Sequence, residues 1–476
     1  MAPSAALSVL SSSFLIHGIL AFQCGRAFRA WTDGDAAATA GHVAMCKLHP
    51  KLMYSKRAVD FAARHGHTST VTWLLSHRIG IVSYLTWDFA AKGGHLGVLQ
   101  ALHAHQPSSG GSANALDWAA AYGHEATVRW LLDMYPKTVA TSFAMTRASS
   151  EGHLAIVTLL HCSGRVQNCK TSAMDMAATN GHLEIVQFLH VHRIEGCTTS
   201  AMDGAATNGH LEIVQFLHSN RMEGCTTSAV HGAASNGHLE VVQFLRHSAM
   251  VHPALVIQLD QAAGNGHLEI VKFLSRGGRA TTIAMDMAAA NGHFEVVQFL
   301  HATRVEGCTT SAMDMAATNG HLGIVQFLHR YRSEGATVQA MNGASEGGHL
   351  EIVQFLHAHR SEGCTTSAMD AAASHGHLEV VAWLHMNRLE GGTTRAMDYA
   401  ALHGHLEVVK WLHYHRPEIG CTTWAMDWAA AKGHLELLMF LHDHRREGCT
   451  MQAKAWATAN RHATILEWLA SHGYCA

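Results

Sequence analysis

The stretch AATNGHLEIVQFLH at residues 177–190 recurs letter for letter at residues 205–218. Identity at a fixed offset marks a tandem repeat, and the period has to be settled before any other reading. The dipeptide Gly-His carries it along the chain. Its histidines fall at 42, 67, 95, 124, 153, 182, 210, 238, 267, 293, 321, 349, 377, 405 and 434, with Arg461-His462 as a sixteenth copy. Most steps are 28 or 29 residues; those ending at His67 and His293 are 25 and 26. EGCTTSAMD likewise occurs at 195–203, 306–314 and 362–370, so one unit has been duplicated many times.

Each unit reads as two helices. In residues 198–218, Thr198-Thr199-Ser200 offers side-chain oxygens to cap the first helix. Ala201-Met202-Asp203-Gly204-Ala205-Ala206 follows, rich in small residues that let a neighbour come close. Asn208-Gly209 ends it, with residues that tolerate positive φ. Leu211, Ile213, Val214, Phe216 and Leu217 are then apolar at helical spacing, with Glu212 and Gln215 on the outer side. One hairpin cannot bury such a face, whereas a stack makes a continuous core. Pro50, Pro107, Pro136, Pro253 and Pro417 all fall between the second helix of one unit and the first of the next. A proline inside a helix would cost about 3 kcal/mol, so their placement supports the register.

Over about residues 31–476 the unit resembles the ankyrin repeat, T-P-L-H-x-A-A-x-x-G-H-x-x-V-V-x-x-L-L, here written from Ser200 to Leu217. Tetratricopeptide units are longer, and the strands of leucine-rich units are absent. The resemblance implies an all-α solenoid of about sixteen stacked helix-turn-helix repeats. The departures from the family are informative. The unit has 28 residues rather than 33, and the missing five lie where the family has a β-hairpin finger. Short loops such as His192–Gly196 and little or no β-strand are expected, leaving nothing for a partner that grips finger tips. S-A-M-D replaces T-P-L-H, placing Asp175, Asp203, Asp286, Asp314, Asp370, Asp398 and Asp427 at the family's histidine position. There an aspartate favours the helix dipole and is a candidate for the inter-repeat hydrogen bond.

Hydrophobic residues make up 48% of the 476-residue chain and charged residues 14%, enough apolar material for a core. The net charge of −3 gives no broad pull toward nucleic acid or anionic membrane. Full protonation of the 41 histidines would move it to +38, so mild acid should change the surface. Seven of the 11 cysteines share one repeat position: Cys169, Cys197, Cys225, Cys308, Cys364, Cys421 and Cys449. Equivalent positions on packed helices lie about 10 Å apart, beyond the roughly 7 Å that a disulfide spans. This favours thiols and a cytoplasmic location. Residues 1–30 form an apolar N-terminal segment, read as a helix on the first repeat. A basic n-region is missing before Arg26, against a signal peptide. The alternative is a membrane-anchored or secreted interaction protein using residues 1–24 as anchor or signal.

No H-E-x-x-H, G-x-S-x-G or phosphate-loop pattern occurs, so no catalytic residue is assigned. The H-x-H pairs 103/105, 190/192, 357/359, 413/415 and 442/444 supply at most two of about four zinc ligands. They are read as residues of helix C-termini, where a cation is favoured; no metal or cofactor is expected. In the ankyrin family the two residues between Ala-Ala and Gly-His face the concave groove. Here that pair ends in Asn180, Asn208, Asn236, Asn265, Asn291 and Asn319 centrally. It diversifies outward to Arg64/His65, Ala121/Tyr122, Glu346/Gly347, Ser374/His375, Leu402/His403 and Ala431/Lys432. Partner contacts are accordingly expected at Tyr122, Asn180, Asn208, Asn236, Asn319, His375, His403 and Lys432. Phe61, Phe89, Trp118, Tyr399, Trp424 and Trp428 lie nearby, either as further contacts or as core beside the alanines. The reading is a monomeric, non-catalytic scaffold for an unidentified protein, with neither nucleic acid nor membrane as partner.

Overall fold

The computed structural model describes residues 33–474 apart from 49–51, 108–109, 111, 167, 249–258, 276 and 278. The expectation for residues 1–30 therefore lies outside the described residues, as do Pro50 and Pro253. Thirty-two helices are described, in sixteen pairs that follow the Gly-His copies. We number these repeats 1 to 16. Among the described residues there is no strand, only the isolated bridges Asp33–Met53 and Ala140–Val166.

Repeat 7 shows how the local sequence makes the pair. Thr198 is extended, and its hydroxyl accepts from Ser200 N at 3.1 Å, capping the helix Thr199–Thr207. Such a cap contributes about 1 kcal/mol. Asn208 closes the helix at a φ of −97°, and Gly209 alone takes the positive φ, at +80°. His210 N then donates to Ala205 O at 2.9 Å, and the second helix, Leu211–Asn220, begins. Ala201, Met202, Ala205, Ala206, Ile213, Val214 and Leu217 are at most 2% exposed and form the core. Phe216 is only half-buried, at the rim of that core rather than within it. Successive first helices pack on one another far more extensively than successive second helices, as their alanines permit. Pro107, Pro136 and Pro417 lie in inter-repeat loops, as the register required.

The chain forms two compact units, residues 1–233 with 243–253 and residues 234–242 with 254–476. The first holds repeats 1–7 complete and the second holds repeats 9–16.

The loops are fixed by charge and packing rather than by strands. Arg193 donates to both Glu195 carboxylate oxygens, at 2.6 and 3.2 Å. Arg221 of the next repeat reaches back to the Cys197 thiol. Burial, then Glu223, pushes that thiol up to about 11, so at neutral pH it stays protonated and a poor nucleophile. Cys308 and Cys421 repeat the arrangement and are pushed up to about 12.

Candidate functional site

Most polar groups that recur from repeat to repeat are consumed in joining repeats. Asp203 accepts from Thr226 N at 2.7 Å and from its hydroxyl at 2.6 Å. The same pair of bonds joins Asp117 to Thr141, Asp175 to Thr198, Asp286 to Thr309, Asp370 to Thr393 and Asp427 to Thr450. The aspartate thus does make the inter-repeat hydrogen bond. The Gly-His histidines make a second one: Nε2 of His67, His124, His182 and His267 donates to the last first-helix residue of the preceding repeat. Those acceptors are Thr39 O, Lys92 O, Ser150 O and Ser235 O, at 2.9–3.0 Å.

The central asparagines share this work. Asn180 donates to Ser150 O at 2.7 Å, Asn208 to Thr179 O and Asn319 to Ala290 O at 2.8 Å. All three remain exposed, as does Asn236 at the same register. The amides of Asn180, Asn208 and Asn319 thus already hold the frame. Tyr122, His375, His403 and Lys432 occupy the same exposed position; His403 Nδ1 lies 3.4 Å from Ser374 Oγ of the repeat before. His375 and His403 come together, their rings 6.4 Å apart and near-parallel at 22°; His375 Nδ1 donates to Ala371 O at 3.0 Å. Tyr122 lies 5.9 Å from Trp118 and 5.2 Å from the Lys92 ammonium.

One helical turn before these residues lies a second variable position, immediately preceding Ala-Ala. It is Phe61, Phe89 and Trp118 in repeats 2–4 and Tyr399 and Trp428 in repeats 14 and 15. In between it is Arg147, Met176, Gly204, Gly232, Gln261, Met287, Met315, Gly343 and Ala371. None of the five aromatic side chains is buried, so the core alternative for them fails: the alanines fill that space, and the rings lie over the surface. Trp424, 51% exposed, packs on Trp428 at 4.6 Å, which stacks on Tyr399 at 5.3 Å. Lys92 was the residue missed by sequence reasoning. It precedes a Gly-Gly-His rather than carrying the usual pattern, and only its contact with the next repeat reveals it.

The second helices carry a separate histidine ladder. His161, His190, His329 and His413 each meet the edge or face of the next repeat's phenylalanine at 5.5–5.7 Å. Burial first, then an arginine of the following repeat, holds His161, His329 and His413 below the ordinary imidazole value. A helix-terminal cation was expected at His413, but desolvation and then Arg445 hold it below the ordinary imidazole value. His377, His405 and His434 are lowered too, mainly by burial. Among the described residues no three His, Cys, Asp or Glu side chains are placed to share a metal ion.

These shifts set the acid response. A histidine lowered in the fold stays neutral while its unfolded counterpart, near 6.5, takes up a proton. Its stabilisation is therefore complete above pH 6.5 and is lost as pH falls through the lower folded value. The loop carboxylates do not interfere, since Glu334 and Glu447 are held at about 2 and lose their contribution only below pH 4.5. Scanning calorimetry should find a flat melting temperature from pH 8.5 to 7 and a fall between pH 6.5 and 5. A flat profile to pH 5 would refute the assignment.

Family models described as ankyrin repeats (3 copies) match residues 144–228 and 259–342, and one described as ankyrin repeats (many copies) matches 340–385 and 369–413. Together these cover just over half of the chain. A search of curated proteins returned no match.

Proposed function

Because this chain belongs to the ankyrin repeat family, we propose that it is a monomeric, cytoplasmic, non-catalytic scaffold holding a partner protein on its exposed first-helix face. Ankyrin repeats are in general protein-interaction modules that carry no chemistry of their own. The reading rests above all on a division of labour among residues. The recurrent Asp, Thr and Gly-His groups are spent on neighbouring repeats, while the exposed positions before and after Ala-Ala vary freely. Variation on a fixed frame is how one fold acquires a particular partner. Aromatic and basic residues concentrated at those positions are the side chains that most often anchor protein interfaces. The buried, protonated thiols fit a reducing compartment. No described helix is long and apolar enough to cross a membrane.

The partner-facing residues on this reading are Tyr122, Asn180, Asn208, Asn236, Asn319, His375, His403 and Lys432. Affinity purification of the tagged chain from its native cytosol, beside a His375→Glu/His403→Glu/Lys432→Glu variant, tests it. These positions are exposed, so the variant should melt within about 2 °C of the parent, as surface changes generally do. It is expected to lose a co-purifying protein that the parent retains. Identical companions for both forms would reject this face.

A further inference from the structure

Resting on the interaction reading above, we propose that the first-helix face of repeats 2–4 docks an extended acidic segment of the partner protein, with two carboxylates three residues apart. The face lies on the helices Ala58–Arg64, Tyr84–Lys92 and Ala113–Ala121. Cations and rings alternate along it from one repeat to the next. The Arg64 guanidinium of repeat 2 lies 5.7 Å from the Phe89 ring of repeat 3. The Lys92 ammonium of repeat 3 lies 4.8 Å from Trp118 and 5.2 Å from Tyr122 of repeat 4. Arg57 sits over Phe61 at 5.3 Å but is already 3.7 Å from Asp60.

Arg64 and Lys92 are exposed and form no ion pair with a carboxylate among the described residues. The acids of these three first helices are turned inward. Asp60, Asp88 and Asp117 are 3–5% exposed and bonded to Thr86, Ser112 and Thr141 of the next repeat. Glu125 pairs with Arg129 on the second helix. The exposed charges of the strip are therefore positive, with the three aspartates held beneath the surface. Seating each cation over a ring restricts it before binding, which lowers the ordering cost of capture.

Spacing selects the ligand. Packed helices repeat about every 10 Å, and a segment extended as polyproline II advances about 3.1 Å per residue with three residues per turn, so residues three apart share a face. Carboxylates three residues apart on such a segment therefore match Arg64 and Lys92 from one side. Single-stranded nucleic acid would need ring faces open for base stacking. Here the protein's own cations lie over those rings.

Panning a phage library of random linear dodecapeptides on the immobilised full chain tests the proposal. Enriched sequences should carry Asp or Glu three residues apart. A fluorescein-labelled synthetic copy should bind at least about tenfold more weakly to Arg64→Glu/Lys92→Glu, and lose affinity from 50 to 300 mM salt. Trp118→Ala, checked for an unchanged melt, should also weaken it about tenfold. Enriched peptides lacking this acidic spacing, or indifferent to the double variant, would overturn the inference and leave the interaction reading standing. No enrichment over a blank surface would count against both. Tighter binding of fluorescein-labelled oligo(dT)15 than of the peptide would overturn it in favour of nucleic acid.

Discussion

Gly320→Ala is expected to destabilise repeats 11 and 12 by about 2–4 kcal/mol, while Gly323→Ala, three residues on, should be neutral or stabilising by up to about 1 kcal/mol. The two glycines differ in what surrounds them. Gly320 holds a φ of +86°, a left-handed conformation that costs an L-residue about 1–2 kcal/mol. A Cβ built there would lie 2.7 Å from Cε1 and 2.9 Å from Nε2 of His349, the Gly-His histidine of the next repeat. His349 N donates to Ala344 O at 2.8 Å, which fixes the ring's backbone in its own turn. Relieving the overlap must turn the His349 ring or part the two repeats, an overpacking cost of about 1–3 kcal/mol. Gly323 sits exposed in the helix Leu322–Tyr331 with nothing within 4 Å of a built Cβ, so alanine there gains only helix propensity. Urea melts followed by circular dichroism would rank the variants. Hydrogen exchange would localise the loss, since repeat arrays can unfold in stages. Coincident midpoints for the two variants would contradict the argument.

Asp314→Ala should be nearly as damaging, at about 2–4 kcal/mol, and Asp314→Asn much milder, below about 1 kcal/mol. Asp314 is 8% exposed and accepts from Thr337 N and Thr337 Oγ1, both at 2.8 Å. Thr337 Oγ1 in turn accepts from Gln339 N at 3.1 Å, capping the next first helix. Alanine strands two donors at a junction, each worth about 1–3 kcal/mol when unmet. It also loosens the cap, worth about 1 kcal/mol. The next repeat supplies the control, because Asn342 already stands where its neighbours have aspartate. Its Oδ1 accepts from Thr365 N at 3.0 Å and its Nδ2 donates to Thr365 Oγ1 at 3.0 Å. Hydrogen-bond geometry, rather than charge, therefore suffices. Thermal melts that place the asparagine variant level with the alanine variant would reverse that conclusion.

How far these features could be read in advance depends on whether a residue's role is local or lies across a junction. Gly-His spacing located all sixteen helix pairs, since caps and turns are made by neighbours in sequence. The Asp203–Thr226 bond was a reasonable expectation because a whole register of aspartates begged for one partner type. The asparagine row was harder. Asn208 reads equally as a turn residue or a contact, and only the carbonyl of Thr179, 29 residues earlier, shows that its amide is committed. His413 was assigned a favoured cation from its helix alone. The arginine and burial that reverse this come from the following repeat. Phe216 has helical core spacing, yet lies at the rim, where the His190 ring meets it edge-on at 5.5 Å. Lys92 drew no attention because its significance consists in Trp118 and Tyr122, which lie a repeat away.

The junction bonds have one more implication. Asp175 meets Thr198, Asp203 meets Thr226 and Asp286 meets Thr309 with almost the same atoms and distances. Nothing in that chemistry distinguishes one threonine from another. The address of each aspartate is written by the covalent tether, whose short loops make the adjacent threonine the nearest by a wide entropic margin. Cutting the backbone in one loop would remove the address without touching the adhesive. Halves of such a chain, or two whole molecules opened at one junction, would then rejoin in any register, like pages of a book whose page numbers were printed only on the binding.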